Sequence, residues 1–366
     1  MKNAAFVWLA VNLFLYNVPF IHAQEEYLFS FSDPVHLWGN GVERVIEEAY
    51  RQCFTTRIID GRVMNIRLPF AMMNERDIML ETPIPVFAGG KGSPQTLMPV
   101  IDEILDSEGF AEYINAFSSR RERALLFDLQ ELTWTFSSDI FIIARLKAGT
   151  YRILPHRPHI LTSGRGAQET DVHNYLYCIG LVGIDCSGFV WHILSYIGAR
   201  GGTDLGRIIS PALGLPRGAD PALYAGTSFF SSQNPQLIDV SDEIRNLRPA
   251  DILLFRDTSG TVVHSAIIQS IDYARGVIRY LQCTNVAPAP ERGVHESFIY
   301  FDPANPSVSL KDPSLHWTQR RAPSFPGEEV PFANDGDYFR NRANGGGRVV
   351  RLRALIPVIE RMGWRE

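Results

Sequence analysis

Asp185-Cys186-Ser187-Gly188 stands at the head of a segment whose apolar residues Phe189, Val190, Ile193, Leu194 and Ile197 recur at helical spacing. The pattern predicts a helix over 185–197 that stops at Gly198, a usual C-terminal cap, and it puts Cys186 in the first turn near the buried face. The unpaired N–H groups and dipole of a helix N-terminus favour a thiolate over a thiol. Asp185 can cap the helix, and Gly188 lets a substrate or another segment approach the backbone. The competing reading is a buried cysteine packed as a small hydrophobe. A nucleophilic cysteine needs a base, and usually a third group to orient the base. His264, in the apolar run 262–268, is a candidate base, although a lone strand histidine can equally be a satisfied core residue. If the runs 261–271 and 276–284 pair as a hairpin centred near Tyr273, His264 directly faces Gln282, whose amide could hold an imidazole nitrogen. Gln282 and Cys283 then point to opposite faces, and a one-residue slip would break the pairing.

Three strand-like runs, 251–255, 261–271 and 276–284, are separated by turn-like residues and read as an antiparallel meander. Further strands are expected at 295–300 and 348–356. The connections 199–246 and 302–347 read as irregular. Upstream, 41–52 carries a helical face, Asp60-Gly61 marks a hairpin between 57–59 and 62–68, 97–117 is helix-like, and 132–146 is β-rich. Residues 151–171, rich in Pro, Gly, His and Arg, read as a connector, with His156 and His159 on an exposed loop rather than a metal site.

The chain has 366 residues, with 45% hydrophobic and 20% charged. That composition excludes a disordered, collagen-like or coiled-coil protein, and the length suggests about two domains. The formal net charge of −5 argues against a nucleic-acid partner. Lys2, the apolar run 4–21 and Ile21-His22-Ala23 read as a signal peptide over 1–23, with an uncleaved anchor as the alternative. The mature protein is then expected to be periplasmic or secreted, with no membrane association after cleavage. The four cysteines, Cys53, Cys178, Cys186 and Cys283, are too few for a disulfide scaffold and match no zinc spacing. If one stays reduced to react, at most one bridge remains.

With these residues in place, 172–300 resembles the NlpC-type family of cell-wall cysteine peptidases. Asp185-Cys186-Ser187-Gly188-Phe189-Val190 is near-identical to the family's DCSGLV run. Leu247-Arg248-Pro249-Ala250-Asp251-Ile252 matches its PGDL-like segment with Ala250 where Gly is usual. His264-Ser265-Ala266-Ile267 matches its HVGI strand, and Gln282-Cys283-Thr284 falls where His-Ala-Ser is common. Tyr177-Cys178-Ile179-Gly180 resembles its Tyr-x-x-Gly at a shorter spacing, with Tyr175 as a rival. The resemblance implies an α+β, papain-like domain over 172–366, a helix packed on an antiparallel sheet. A separate mixed α/β N-terminal domain, 24–150, would precede it. It implies hydrolysis of amide bonds in peptidoglycan stem peptides without a cofactor or metal. Cys186 would be the nucleophile, His264 the base and Gln282 the orienting group. The Cys186 N–H and Tyr177 hydroxyl would hold the oxyanion. Asp251 and His295 are rivals for the third role. The matched segment gives Asp251 a structural place at the strand's start, and no expected register brings His295 beside His264. An amidase or acyltransferase on the same scaffold and a non-catalytic wall-binding module are the alternatives.

Overall fold

The computed structural model describes residues 41–70, 93–118, 132–137, 141–146, 151–155, 166–179, 182–216, 221–231, 234–284, 293–318, 335–340 and 345–363. The leader expected over 1–23 and the loop histidines His156 and His159 lie outside them. In chain order the elements are α1 (Val42–Arg51), β1 (Phe54–Ile59), β2 (Arg62–Arg67), α2 (Pro94–Leu105), α3 (Glu108–Ser118), β3 (Leu132–Ser137), β4 (Phe141–Leu146), β5 (Tyr151–Pro155) and α4 (Glu169–Ile179). There follow α5 (Cys186–Arg200), α6 (Leu205–Ile209), α7 (Thr227–Ser231), β6 (Leu237–Val240), β7 (Ile252–Arg256), β8 (Val262–Asp272), β9 (Val277–Thr284) and β10 (Gly293–Tyr300). The chain closes with β11 (His316–Trp317), α8 (Asp335–Arg340), β12 (Arg348–Leu352) and α9 (Ile356–Arg361). The class is α+β. Among the described residues no helix is long and apolar enough to cross a membrane.

The expected meander β7-β8-β9 forms the middle of a seven-stranded antiparallel sheet in the order β11-β10-β9-β8-β7-β12-β6. Side chains alternate across a strand, and here both faces are buried, which is why β7 reads as a continuous apolar run. Ile252 and Leu254 join the core shared with α5, whereas Leu253 and Phe255 join a second core with Leu310, Trp317 and Phe339. The described parts of the segment expected to be irregular, 302–347, therefore help to cover the second face, through α8 and Leu310, and add β11 at the sheet edge. The C-terminal run joins the sheet between β7 and β6, as β12, and then turns into α9.

α5 is apolar nearly all round, as a helix enclosed by other elements must be. It runs to Arg200, past the expected stop at Gly198. The physical role of Gly198 is close approach: a Cβ there would lie 2.8 Å from the Thr203 carbonyl oxygen and 2.9 Å from Leu205 Cγ. The helix expected over 97–117 is two helices, α2 and α3, broken at Asp106-Ser107. Asp60 and Gly61 both have positive φ, 52° and 72°, which a two-residue hairpin turn needs. Part of the expected connector is strand β5.

α1 lies in the segment 24–150, expected to form a separate N-terminal domain. Its residues Val45, Ile46 and Ala49 share one core with Phe189 and Val190 of α5 and Leu281 of β9. His192 of α5 is hydrogen-bonded to the Ala49 carbonyl oxygen at 3.0 Å. At 69–70, the Pro69 carbonyl accepts from Ile184 N–H at 3.0 Å, which ties the upstream chain to the residue just before Asp185-Cys186.

Candidate active site

Cys186 is the first residue of α5, as its position predicts, and is 7% exposed. Asp185 is the N-cap: its Oδ1 accepts from Gly188 N–H at 2.6 Å and from Ser187 Oγ at 3.0 Å. The capping carboxylate thus locks the turn that presents the sulfur. His264 stands near the start of β8, half-buried, opposite Phe255 of β7. The ladder between β7 and β8 shifts there, with Phe255 opposite His264 and Arg256 opposite Val262. A bulge of this kind turns a strand locally and re-aims its side chains.

The sulfur and the imidazole line one pocket, and the hydrogen bond and charge of His264, with the Ser265 main chain, act on the thiol. Burial works to raise the Cys186 thiol, but the hydrogen bond and charge of His264 outweigh it and hold the thiol below its ordinary value. Burial likewise works to lower His264. The hydrogen bond and charge of Cys186, the charge of Asp335 and the Gln282 amide hold the imidazole above its ordinary value instead. The pair is set toward thiolate and imidazolium.

Gln282 Oε1 accepts from His264 Nε2–H at 2.7 Å. The contact forms, but not through the expected register. Gln282 lies directly opposite Ala266, because the turn centres between Ala274 and Arg275 rather than on Tyr273, and a bulge between Ile268 and Ser270 takes back one residue of that offset. His264 and Gln282 are diagonal neighbours on one face, a separation that long side chains span. Cys283 points to the other face, into the α5 core, and its thiol donates to the Ile184 carbonyl at 3.1 Å. Cys53, Cys186 and Cys283 are all buried free thiols, and burial raises Cys53 and Cys283 beyond the usual thiol range.

The rivals fall elsewhere. Asp251 is fully buried and bound by Arg351 through both carboxylate oxygens, at 2.6 and 2.8 Å, while it accepts from Arg248 N–H at 2.8 Å. The turn it closes, Arg248-Pro249-Ala250-Asp251, has Ala250 at φ 72°, the position where a type II turn wants glycine. His295 directly faces Gln282 from β10, two strands from His264, and its Nδ1 is hydrogen-bonded to the Gly293 carbonyl oxygen at 3.0 Å. Tyr177 is on the last turns of α4 and its side chain lies outside the described residues. Tyr175 is buried against Phe110 and Tyr113, with ring centroids 5.2 and 4.8 Å away.

Sequence reasoning missed Asp335. It is the first residue of α8, buried behind Gln282, and its Oδ2 accepts from Gln282 Nε2 at 2.8 Å and Tyr280 OH at 2.7 Å. Burial pushes its carboxyl up, while the His264 charge and the two hydrogen bonds restrain it. Nothing in the local run Asn334-Asp335-Gly336-Asp337 separates it from an ordinary turn. Cys186, His264 and Asp335 open on a pocket of about 280 Å3 walled by Phe70, Thr227, Phe255, Val263 and Tyr338. Segments far apart in the chain therefore shape it. Among the described residues no cluster of three or more His, Cys, Asp or Glu could hold a metal ion. The chain matches no family profile, no curated protein and no solved structure.

Proposed function

We propose that this protein is an exported cysteine hydrolase of papain-like type that cleaves amide bonds of peptidoglycan stem peptides. The observation that carries the reading is the row Cys186–His264–Gln282: a thiol held low at a helix N-terminus, hydrogen-bonded to an imidazole that an amide holds from behind. In this reading the Cys186 thiolate attacks the carbonyl carbon, and the oxyanion is met by the Cys186 N–H, which has no acceptor within the helix, while the Tyr177 hydroxyl is a second donor by the resemblance alone. The imidazolium gives its proton to the departing amine as the C–N bond breaks and leaves a thioester on Cys186. Neutral His264 then takes a proton from water, which attacks the thioester and releases the acid and the thiolate. The substrate class rests on the resemblance of the DCSGFV run and the histidine strand to the cell-wall peptidases, together with the leader expected over 1–23.

Digestion of purified sacculi by the wild-type protein and Cys186→Ala, followed by mass analysis, tests it. New amino termini on stem peptides, absent with Cys186→Ala, are expected. Release of the lactyl–peptide bond would instead make the protein an amidase. Binding without any cleavage would make it a wall-binding module.

A further inference from the structure

Resting on the reading of Cys186 and His264 as nucleophile and base, we infer that Asp335 is the positioning carboxylate of this site. It fixes the Gln282 amide so that only its oxygen can face His264, and so leaves Nδ1 of the imidazole to Cys186.

The argument is one of hydrogen-bond supply. A primary amide has two N–H donors and one acceptor oxygen. Gln282 Nε2 spends its donors on Ser297 Oγ at 2.9 Å and Asp335 Oδ2 at 2.8 Å. The serine cannot choose the orientation, because a hydroxyl can turn and donate to an oxygen as readily as accept from a nitrogen. An ionised carboxylate only accepts. With the amide flipped, its oxygen would oppose the Asp335 oxygen and its N–H groups would oppose the Nε2–H of His264. Asp335 therefore selects Oε1 toward His264, and the 2.7 Å contact requires the proton on Nε2. Gln282 is neutral and offers an imidazolium no charge. Asp335 supplies that charge one residue further back.

α8 is built to deliver this group. Gly336 follows Asp335, and a Cβ there would lie 2.5 Å from Trp317 Cδ1, so only glycine lets the helix start sit this close to the sheet. Phe339, one turn on, packs against Phe255 and Trp317, with ring centroids 5.7 and 5.6 Å away. A segment without any recognisable motif thus completes the site.

The test is the pH dependence of Cys186 alkylation by iodoacetamide in the full-length protein, read by peptide mass mapping so that other thiols do not count. No substrate is needed, so inactivity on peptidoglycan leaves this test intact. A wild-type profile like that of an ordinary thiol would overturn the Cys–His reading and this one with it. In Asp335→Asn the imidazolium loses the charge that helps to hold its proton, so the shared proton moves back toward sulfur and the alkylation rate on the plateau around neutral pH should fall by on the order of tenfold. Asp337→Asn removes a carboxylate from the same helix, one paired with Arg340 at the surface, and should leave the profile in place. An unchanged plateau rate in Asp335→Asn, or equal falls in the two variants, would overturn the inference. A second measurement serves if Asp335→Asn does not fold. In Cys186→Ala at high pH, 15N NMR should find neutral His264 protonated on Nε2, and an Nδ1–H tautomer would overturn it.

Discussion

Replacing Arg279 with methionine should destabilise the whole protein, because Arg279 of β9 is the ion that docks α1 onto the sheet. Its side chain is 4% exposed. Nη1 donates to Glu47 of α1 at 2.7 Å, Nε donates to Glu296 of β10 at 2.5 Å, and the guanidinium lies 5.4 Å from the Tyr50 ring centre. Breaking one side of a buried ion pair costs about 3–5 kcal/mol, since the surviving charge stays desolvated. Two features reduce the figure here. Glu47 keeps Arg51 as a partner at 2.9 Å, and Glu296 is 27% exposed and can reach water. Methionine also refills most of the apolar volume. A loss of about 2–3 kcal/mol remains. The triple variant Arg279→Met, Glu47→Gln, Glu296→Gln leaves no uncompensated buried charge, since Arg51, which loses Glu47, is 35% exposed, and it should recover more than half of that loss. Urea unfolding followed by tryptophan fluorescence and by far-UV circular dichroism measures both. Because α1 and the sheet share one core, the two signals should shift together. An Arg279→Met midpoint equal to wild type, or loss of helix signal at low urea with the tryptophan transition unmoved, would refute the reasoning.

Gln282→Ala should lower kcat/KM on the cleaved muropeptide roughly 10- to 100-fold without abolishing turnover. A hydrogen bond to a charged partner is worth about 1.5–3 kcal/mol, and the Cys–His pair survives. Loss of all activity in a folded protein would contradict this. The stabilisation that Cys186 and His264 add to the fold, read as the difference in unfolding free energy from Cys186→Ala, should depend on pH with two opposite signs. The Cys186 part is present above its unfolded value of about 8.5 and should be lost as pH falls through its lowered folded value. The His264 part is present below its unfolded value of about 6.5 and should be lost as pH rises through its raised folded value. A difference that does not vary with pH would contradict both shifts. Ala250→Gly should hold or raise the thermal midpoint, because relief of about 1 kcal/mol of left-handed strain offsets the glycine entropy cost. A fall of several degrees would contradict the strain argument.

The sequence by itself determined what is local. A carboxylate cap followed by a cysteine and a helical stripe makes Cys186 the first residue of α5, because capping and periodicity act within a few residues. Turn chemistry at Asp60-Gly61 and the alternation of 251–284 likewise defined the hairpin and the meander. Gln282 was legible as the partner of His264 because both side chains had to share one face of neighbouring strands. The register was not legible: the turn centres between Ala274 and Arg275 rather than on Tyr273, and the bulge in β8 takes back only one residue of that offset, so the pairing is diagonal rather than direct. Tertiary structure alone decided the rest. Only the fold brings Asp335 from a motif-free segment to the back of Gln282, seats Phe70 and Tyr338 in the pocket wall, and buries Arg279 between Glu47 and Glu296. Those contacts join residues tens to hundreds of positions apart, and nothing in the local spacing of either partner encodes the other. They arise because a sheet buried on both faces needs a covering layer on each side, and the chain's remote segments provide it.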